Sequence, residues 1–556
     1  MEDRIRTIIA DALKARGAPN VSFAVEWPGD LRHGDYAVNA ALAAAKELNV
    51  NPRTLAEDLA AILKDALKDD ATSVDVAGPG FINVTSSRTY LAQTLADIDE
   101  DWGKGSSRAG ERVVVEYSCP NPFKEMHIGH LMSTVIGESF SRLVENTGAH
   151  VIRDSYGGDV GPHVAKGIWG LRKKGITEPA TAKEVGSAYE AGGRAYEESE
   201  VAKAEIDELN VALYTALAKD ESEHTEEDRA LLELWRKGRD AAFSAFKEIY
   251  RVLNSDFDYF IFESETTPIG MEVVGDALEK GIFTRSEGAV VYQGEAKGLH
   301  TLVFITSRGT PTYETKEIGL AFLKEQRIPN DHSYILTGLE QVGHFKVFLA
   351  AIEEIAPLIA QKTHHVPHGL LQLTTGKMSS RKGNVLTAAG IIEEVMEKAL
   401  GKNDDPLVAE KVAVGALKYM ILRASPGTNV VFDPEKSLSL DGDSGPYLQY
   451  ALVRAKSILA QSSVRPSIQN APDEPYTIER LIARFPKVAE RAEAEKAPQH
   501  IATYLTQLAG EWNAFYAKER IRDGEYEAYK LMVAQGFVRT MERGLWLLGI
   551  PAPERM

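Results

Sequence analysis

The chain has 556 residues, 44% of them hydrophobic and 26% charged, with a formal net charge of −18. This is the composition of a globular protein too long for one core, and roughly 100–200 residues per domain implies three or four domains. No apolar run approaches the roughly 18–20 residues of a bilayer span, and a single cysteine, Cys119, excludes a disulfide framework and a multi-cysteine zinc site.

A reducing cytoplasm, with no membrane association, is therefore the expected setting. The acidity argues against general phosphate binding, yet 451–556 hold 15 basic against 13 acidic residues, a net of +2 that leaves −20 for the rest. That asymmetry permits a nucleic-acid surface at the C-terminal end without requiring one.

The opening "MEDRIRTIIADALKARG" lacks the apolar core and cleavage site of a signal peptide. Its Ile5, Ile8, Ile9, Ala12 and Leu13 fall on one helical face, and Gly17 suits the left-handed stop. "GDYAVNAALAAAKEL" reads as helix, Pro52 suits the first position of the next one, and "SVDVA" and "FINVT" flank a Gly-Pro-Gly turn as strands. A small α+β domain over 1–88 follows from this pattern, closed by the polar linker "DIDEDWGKGSSRAGE".

From 112 "RVVVEY" is a buried strand, "IGHLMSTVIGESFSRLVENTG" a helix ended by Gly148, and "AHVIRD" a second strand. This is a βαβ unit and predicts a parallel sheet with right-handed crossovers. A helical pair is expected to be inserted at about 180–255. "GAVVYQG", "HTLVFIT" and "HSYILTG" then return as strands, and the last 115 residues read as helical, with Leu448, Ala451, Leu452, Ala455 and Leu459 on one stripe.

Two segments carry chemistry. "EYSCPNPFKEMHIGHL" sits where the first strand of the βαβ unit passes into its helix, at the carboxyl edge where parallel sheets bind ligands. Free N–H groups and the helix dipole favour phosphate there. Gly129 leaves room for a flat base. His127 and His130, three apart, share a face from which both imidazoles can donate to phosphate oxygens. About 250 residues on, "TTGKMSSRKGNVLT" combines Lys377, Ser379, Arg381 and Lys382 with Gly376 and Gly383, a cationic loop suited to a pyrophosphate leaving group.

Together these segments resemble the two signatures of class I aminoacyl-tRNA synthetases, "HIGH" (His127–His130) and a "KMSKS" loop (here "KMSSR", Lys377–Arg381). The resemblance extends to the arginyl-tRNA synthetases through "EYSCPNPFKEMHIGHL", "MSSRKGN", "GDYAVNAALAAAK", "VAGPGFIN", "SGPYLQYALVR", "WNAFYAKERI" and "LLGIPAPERM". It implies an α/β protein: an N-terminal α+β domain (1–88) touching the tRNA elbow, a Rossmann-type parallel-sheet catalytic domain (110–430), and a C-terminal all-α helical bundle (435–556) binding the anticodon.

It also implies ATP-dependent activation of L-arginine to arginyl-adenylate and transfer to tRNA(Arg), releasing AMP and pyrophosphate. Mg²⁺ would enter with ATP, with no zinc, no other metal and no tightly bound cofactor, and a monomer is the state the family suggests. Another class I synthetase, or a non-catalytic relative that binds tRNA or arginine for regulation, are the alternatives.

On this resemblance the catalytic set is Lys124, His127, Gly129, His130, Lys377, Ser379, Arg381 and Lys382. ATP meets His127, Gly129, His130, Lys377, Met378 and Lys382. The second lysine of the KMSKS pattern is here Ser380, and family members lacking it carry a lysine before HIGH, here Lys124, which is expected to supply the missing charge. Arginine is expected to meet Glu116, Ser118, Asn121, His130, Tyr313, Glu317 and Gln341, with Glu340 the alternative to Gln341. A guanidinium is best met by carboxylates in a two-pronged arrangement. The family has Tyr-x-x-x-Asp where this chain has Tyr313 and Glu317, one methylene longer.

Overall fold

The computed structural model describes residues 1–373 and 387–556, and these form two compact units. The first comprises Met1–Trp102, Arg454–Pro486 and Gln507–Met541. Its four strands, β1 (Val25–Glu26), β2 (Tyr36–Val38), β3 (Ala71–Ala77) and β4 (Phe81–Ser86), make an antiparallel sheet in the order β1-β2-β4-β3.

Helix Glu2–Ala15 buries Ile5, Ile9, Ala12 and Leu13, with Ile8 half-buried beside them. It ends as the sequence predicts: Gly17 has φ +91°, its N–H reaches the Lys14 carbonyl and that of Ala18 the Leu13 carbonyl. Pro52 opens helix Pro52–Ala66, whose Asn51 cap accepts from the N–H groups of Arg53 and Thr54 at 2.9 and 3.3 Å. In the same unit Arg88 donates to Glu479 at 3.0 Å, and Glu479 also accepts from the Tyr529 hydroxyl at 2.7 Å. This buried set ties the first hundred residues to the C-terminal helical segments of that unit.

The second unit comprises Gly103–Val453, Lys487–Thr506 and Glu542–Met556. Its centre is a five-stranded parallel sheet of β5 (Arg112–Glu116), β6 (His150–Gly157), β7 (Tyr259–Phe262), and further along the chain β11 (His332–Gly338) and β12 (Thr363–His368). The strand order is β12-β11-β5-β6-β7. Three short strands between them, β8 (Thr284–Ser286), β9 (Ala289–Tyr292) and β10 (Leu302–Ile305), form a separate antiparallel sheet. β13 (Leu371–Leu373) pairs in parallel with β14 (Val430–Phe432).

Val113, Val114 and Val115 are fully buried, which is why β5 reads as an unbroken apolar run. The chain leaves β5 for β6 and β7 on one side and returns through β11 and β12 on the other. The carboxyl ends of β5 and β11 therefore flank the reversal point where open α/β sheets bind ligands.

The insertion differs from the helical pair expected. Three long helices, Ala182–Glu198, Glu200–Ala218 and Glu226–Val252, pack with Pro162–Lys173 around one core. The short turn at Ser199, which caps the second of these, carries no glycine or proline that would mark a break.

Helix Ile128–Glu145, the crossover from β5 to β6, is fastened at its far end. Glu138 accepts from the Tyr117 hydroxyl and from Arg142, both at 2.7 Å. Arg142 donates to the carbonyls of Trp546 and Asn254, each at 3.0 Å, and Ser139 to that of Leu547 at 2.9 Å. Beside this network Lys418 is fully buried, its ammonium nitrogen without a hydrogen-bond partner among the described residues. Burial and Arg142 lower it to about 7, against the opposing pull of Glu138.

Candidate active site

A cleft of roughly 530 Å³ opens at the carboxyl ends of β5 and β11, with Asn121, His127, His130, Tyr313, Glu340 and Gln341 on its walls. Its first wall is the loop from β5 into helix Ile128–Glu145. Three residues of that loop stand in the left-handed region, Ser118 (φ 72°), Cys119 (φ 49°) and Phe123 (φ 73°). Such conformations cost roughly 1–3 kcal/mol each and persist only where packing over-determines them. Phe123 shows how: its ring is fully buried in the core of the inserted helices, against Gly167 and Gly238, where an added Cβ would come within 2.6 Å of it. Burying a phenylalanine contributes about 1.5–3 kcal/mol, enough to offset much of the strain.

The two histidines form a capping box. Nδ1 of His127 accepts from the Gly129 N–H at 3.1 Å, Nδ1 of His130 accepts from the His127 N–H at 3.3 Å, and the rings stack with centroids 3.7 Å apart. Both Nδ1 atoms are acceptors, so each neutral ring carries its proton on Nε2. Burial, together with Lys124, lowers the basicity of His127, and burial with His127 takes that of His130 to about 3. The pair is therefore two neutral N–H donors at a helix N-terminus. Gly129 has a local duty as well: an added Cβ would lie 2.9 Å from Cε1 of His127, so the glycine makes room for the capping ring.

Lys124 stands beside the cleft, its ammonium 5.1 Å from the Tyr189 ring centroid, and its charge adds to burial in lowering the pKa of His163. It makes no ion pair among the described residues. Asn121 lines the cleft against Gly158, where a Cβ would come within 2.3 Å of its Oδ1. Ser118 lies at the cleft edge, but its hydroxyl is committed to Tyr250 (2.9 Å) and Thr134 (2.8 Å). Tyr313 is 38% exposed and opens helix Tyr313–Arg327.

Below this surface the predicted acids separate. Glu116 is 2% exposed and paired with Lys324, which also lies 2.9 Å from Asp154. It belongs to the floor and not to the wall. Glu317 is 1% exposed and meets no cation among the described residues, and the Tyr313 hydroxyl stands close enough to its carboxyl to pull its pKa down. Burial and the neighbouring Glu116 raise its pKa well above the usual carboxylate range. Glu263 is paired with Lys316. Of the buried carboxylates Glu116, Asp154, Glu263 and Glu317, the first three meet the two buried lysines and Glu317 meets neither; Glu263 also reaches the cleft wall.

Lys377, Met378, Ser379, Arg381 and Lys382 lie outside the described residues. The residues that follow them do not: Thr387 bridges to His127, and the Ala388 N–H donates to the Met126 carbonyl at 2.7 Å. The downstream end of the second signature is thereby tied to the first.

Sequence reasoning missed Glu314 and His344. Both line the cleft, with Nδ1 of His344 lying 3.3 Å from Oε1 of Glu314. Their signal was present: Glu314 adjoins Tyr313, and His344 falls three residues after Gln341, one helical turn on.

Residues 93–433 match the model of the class I (R) tRNA synthetase catalytic domain, 448–556 that of the DALR anticodon binding domain, and 3–86 that of the arginyl tRNA synthetase N terminal domain. The arginine–tRNA ligase of Treponema denticola is 30% identical over 90% of this chain and 89% of its own length. That of Lactobacillus johnsonii is 30% identical over 96% of both. Thermus thermophilus arginyl-tRNA synthetase superposes with a TM-score of 0.81 at 26% identity, covering both chains fully. The Plasmodium falciparum enzyme shares the fold at 0.81 and 22%, over 100% of this chain and 99% of its own. The chain therefore belongs to the arginyl-tRNA synthetases, class I ligases that use ATP to join arginine to tRNA.

Proposed function

We propose that the guanidinium of arginine enters beside Tyr313 and meets Glu317, while Asn121 and Gln341 or Glu340 hold the α-amino end near His130. The observation that carries this reading is Glu317 itself, a carboxyl group inside the protein that no described cation meets and whose pKa burial and Glu116 raise. Burying a polar group without partners is costly, and a rigid cationic fork is the group that relieves it. Arrival of that cation favours the ionised form, so arginine binding at neutral pH releases a proton from Glu317.

ATP, entering with Mg²⁺ as its substrate partner, lies along the N-terminus of helix Ile128–Glu145. The Nε2–H groups of His127 and His130 donate to its phosphates as charge builds. An arginine carboxylate oxygen bonds to the α-phosphorus, the bond from that phosphorus to the bridging oxygen breaks, and pyrophosphate leaves. Lys124 supplies positive charge to the triphosphate in place of the lysine that the second signature lacks at Ser380. Lys377, Ser379, Arg381 and Lys382 complete the set, a reading supported by the tie from Thr387 and Ala388 to the first signature.

In this reading residues 1–88 touch the tRNA elbow, 110–430 hold the chemistry and 435–556 bind the anticodon, the matched ranges being its support. The chain acts as a cytoplasmic monomer. Exchange of labelled pyrophosphate into ATP, with arginine and tRNA present, tests the site. The exchange is expected with arginine alone among the twenty amino acids and is expected to collapse in Glu317→Gln. Full exchange in that variant would overturn the arginine pocket.

A further inference from the structure

The histidines of the cleft are held in opposite senses. His127 and His130 accept backbone N–H groups at Nδ1, so their Nε2 atoms carry protons and cannot take another. His344 instead sets Nδ1 3.3 Å from the Glu314 carboxylate, whose charge favours the tautomer with its proton on Nδ1 and its lone pair on Nε2. That Nε2 is buried and has no hydrogen-bond partner among the described residues.

His368, also on the cleft wall, is oriented in the same sense but only by the carbonyl of Gly369 at 2.8 Å. Burial lowers its basicity, and a neutral carbonyl compensates an imidazolium less than a carboxylate does. Among the described histidines of the cleft, His344 alone has a carboxylate behind it.

We propose that Glu314 and His344 form a carboxylate–imidazole dyad that accepts the proton of the terminal-adenosine ribose hydroxyl when the arginyl group passes to tRNA. This rests on the reading of the cleft as the site of arginyl transfer. The hydroxyl oxygen bonds to the arginyl carbonyl carbon and its proton passes to Nε2 of His344. The bond from that carbon to the adenylate phosphate oxygen breaks, and AMP leaves. The imidazolium then gives its proton to solvent.

Activation of arginine needs no such acceptor, because the attacking carboxylate is already ionised. The dyad therefore acts on the second step. His344 is the catalytic residue and Glu314 a positioning residue, holding the tautomer and stabilising the imidazolium. The other groups around the ring are Tyr313, with ring centroids 5.1 Å apart, and His365, whose basicity His344 lowers after burial.

Rapid-quench measurements with intact tRNA separate the steps, and exchange supported by tRNA with periodate-oxidised terminal ribose reports the first step alone. In His344→Gln, transfer should fall roughly 10²–10⁴-fold, the usual range for losing a general base, and by at least about tenfold more than exchange. Arginyl-adenylate should accumulate before arginyl-tRNA appears. Glu314→Gln should show the same pattern more weakly, and His368→Gln a smaller change in the ratio of the two rates.

In wild type the transfer rate should rise with pH to a plateau, and His344→Gln should lose that rising limb. Equal losses in both steps, or a transfer rate and pH profile unchanged in His344→Gln, would overturn the dyad. Failure of the arginine pocket would appear separately, as exchange that is indifferent to Glu317. Melting temperatures of the three glutamine variants check that the fold is intact, and His344→Asn provides a second neutral replacement.

Discussion

Glu116 and Glu317 are buried to the same degree, 2% and 1% exposed, and lie close enough for Glu116 to raise the pKa of Glu317, yet they differ in what meets them. Lys324 satisfies Glu116 and bridges it to Asp154, while Glu317 meets no described cation and has the Tyr313 hydroxyl beside it. The first is a piece of the floor that holds β5, β6 and helix Tyr313–Arg327 in register. The second is a carboxylic acid under the cleft whose pKa burial and Glu116 raise, with no described cation to ionise it. Burial alone does not tell the two apart, and neither does an unmade hydrogen bond, since Asp154 in the floor lacks one as well. The cation paired with the acid does.

The sharpest way to break that contrast is a pair of isosteric changes. Glu317→Gln should lower kcat/KM for arginine by about 2–5 kcal/mol, the range for removing one member of a desolvated charge pair, with urea stability unchanged or raised. Glu116→Gln should do the reverse in kind, costing about 3–5 kcal/mol of folding stability because Lys324 loses a buried partner. If both variants lose only stability, the distinction between them fails.

Lys124→Ala extends the comparison to a cation beside the cleft: single-turnover adenylate formation should slow by about 2.7–4 kcal/mol of barrier. Arginine affinity should move little.

Lys418 asks whether an unpaired buried charge far from the cleft is also functional. Lys418→Met should stabilise the chain at pH 7 by roughly 1–4 kcal/mol and leave aminoacylation intact. The sign follows from its depressed pKa, about 7 in the fold against ~10.4 when unfolded. Between those values the unfolded chain binds more protons, so wild-type stability rises with pH across that window. The difference between wild type and variant, followed by urea titration from pH 7 to 10, should shrink accordingly.

The smallest effect is expected from Gly129→Ala. A helix interior would gain about 0.5–1 kcal/mol from alanine. Here the Cβ meets the His127 ring, so the cap is lost, at about 1 kcal/mol, and adenylate formation should drop roughly tenfold, equivalent to about 1.4 kcal/mol. Stabilisation with unchanged rate would show that the capping box is dispensable.

Much of this was legible in the chain. Hydrophobic period and turn residues predict the parallel sheet, the Gly17 stop and the Pro52 start, because these are local rules read over a few residues. The two histidines at a strand end mark the helix start that they are found to cap. What the sequence does not display is partnership across the fold. Glu116 reads as a pocket acid until Lys324, 208 residues away, is seen to claim it. Glu314 and His344 carry no motif until two separate helices bring them to 3.3 Å. The break at Ser199 is equally silent, since a serine serves both helix interior and cap.

The bridge from Thr387 to His127, with the Ala388 hydrogen bond to Met126, means that the two signatures share a footing in the backbone. A substitution that unseats the first turn of helix Ile128–Glu145 also shifts Thr387 and Ala388, at the downstream end of the second signature. Paired substitutions across the two motifs should therefore be energetically non-additive even when their side chains never touch, and a coupling energy between them measures common mooring as well as shared substrate.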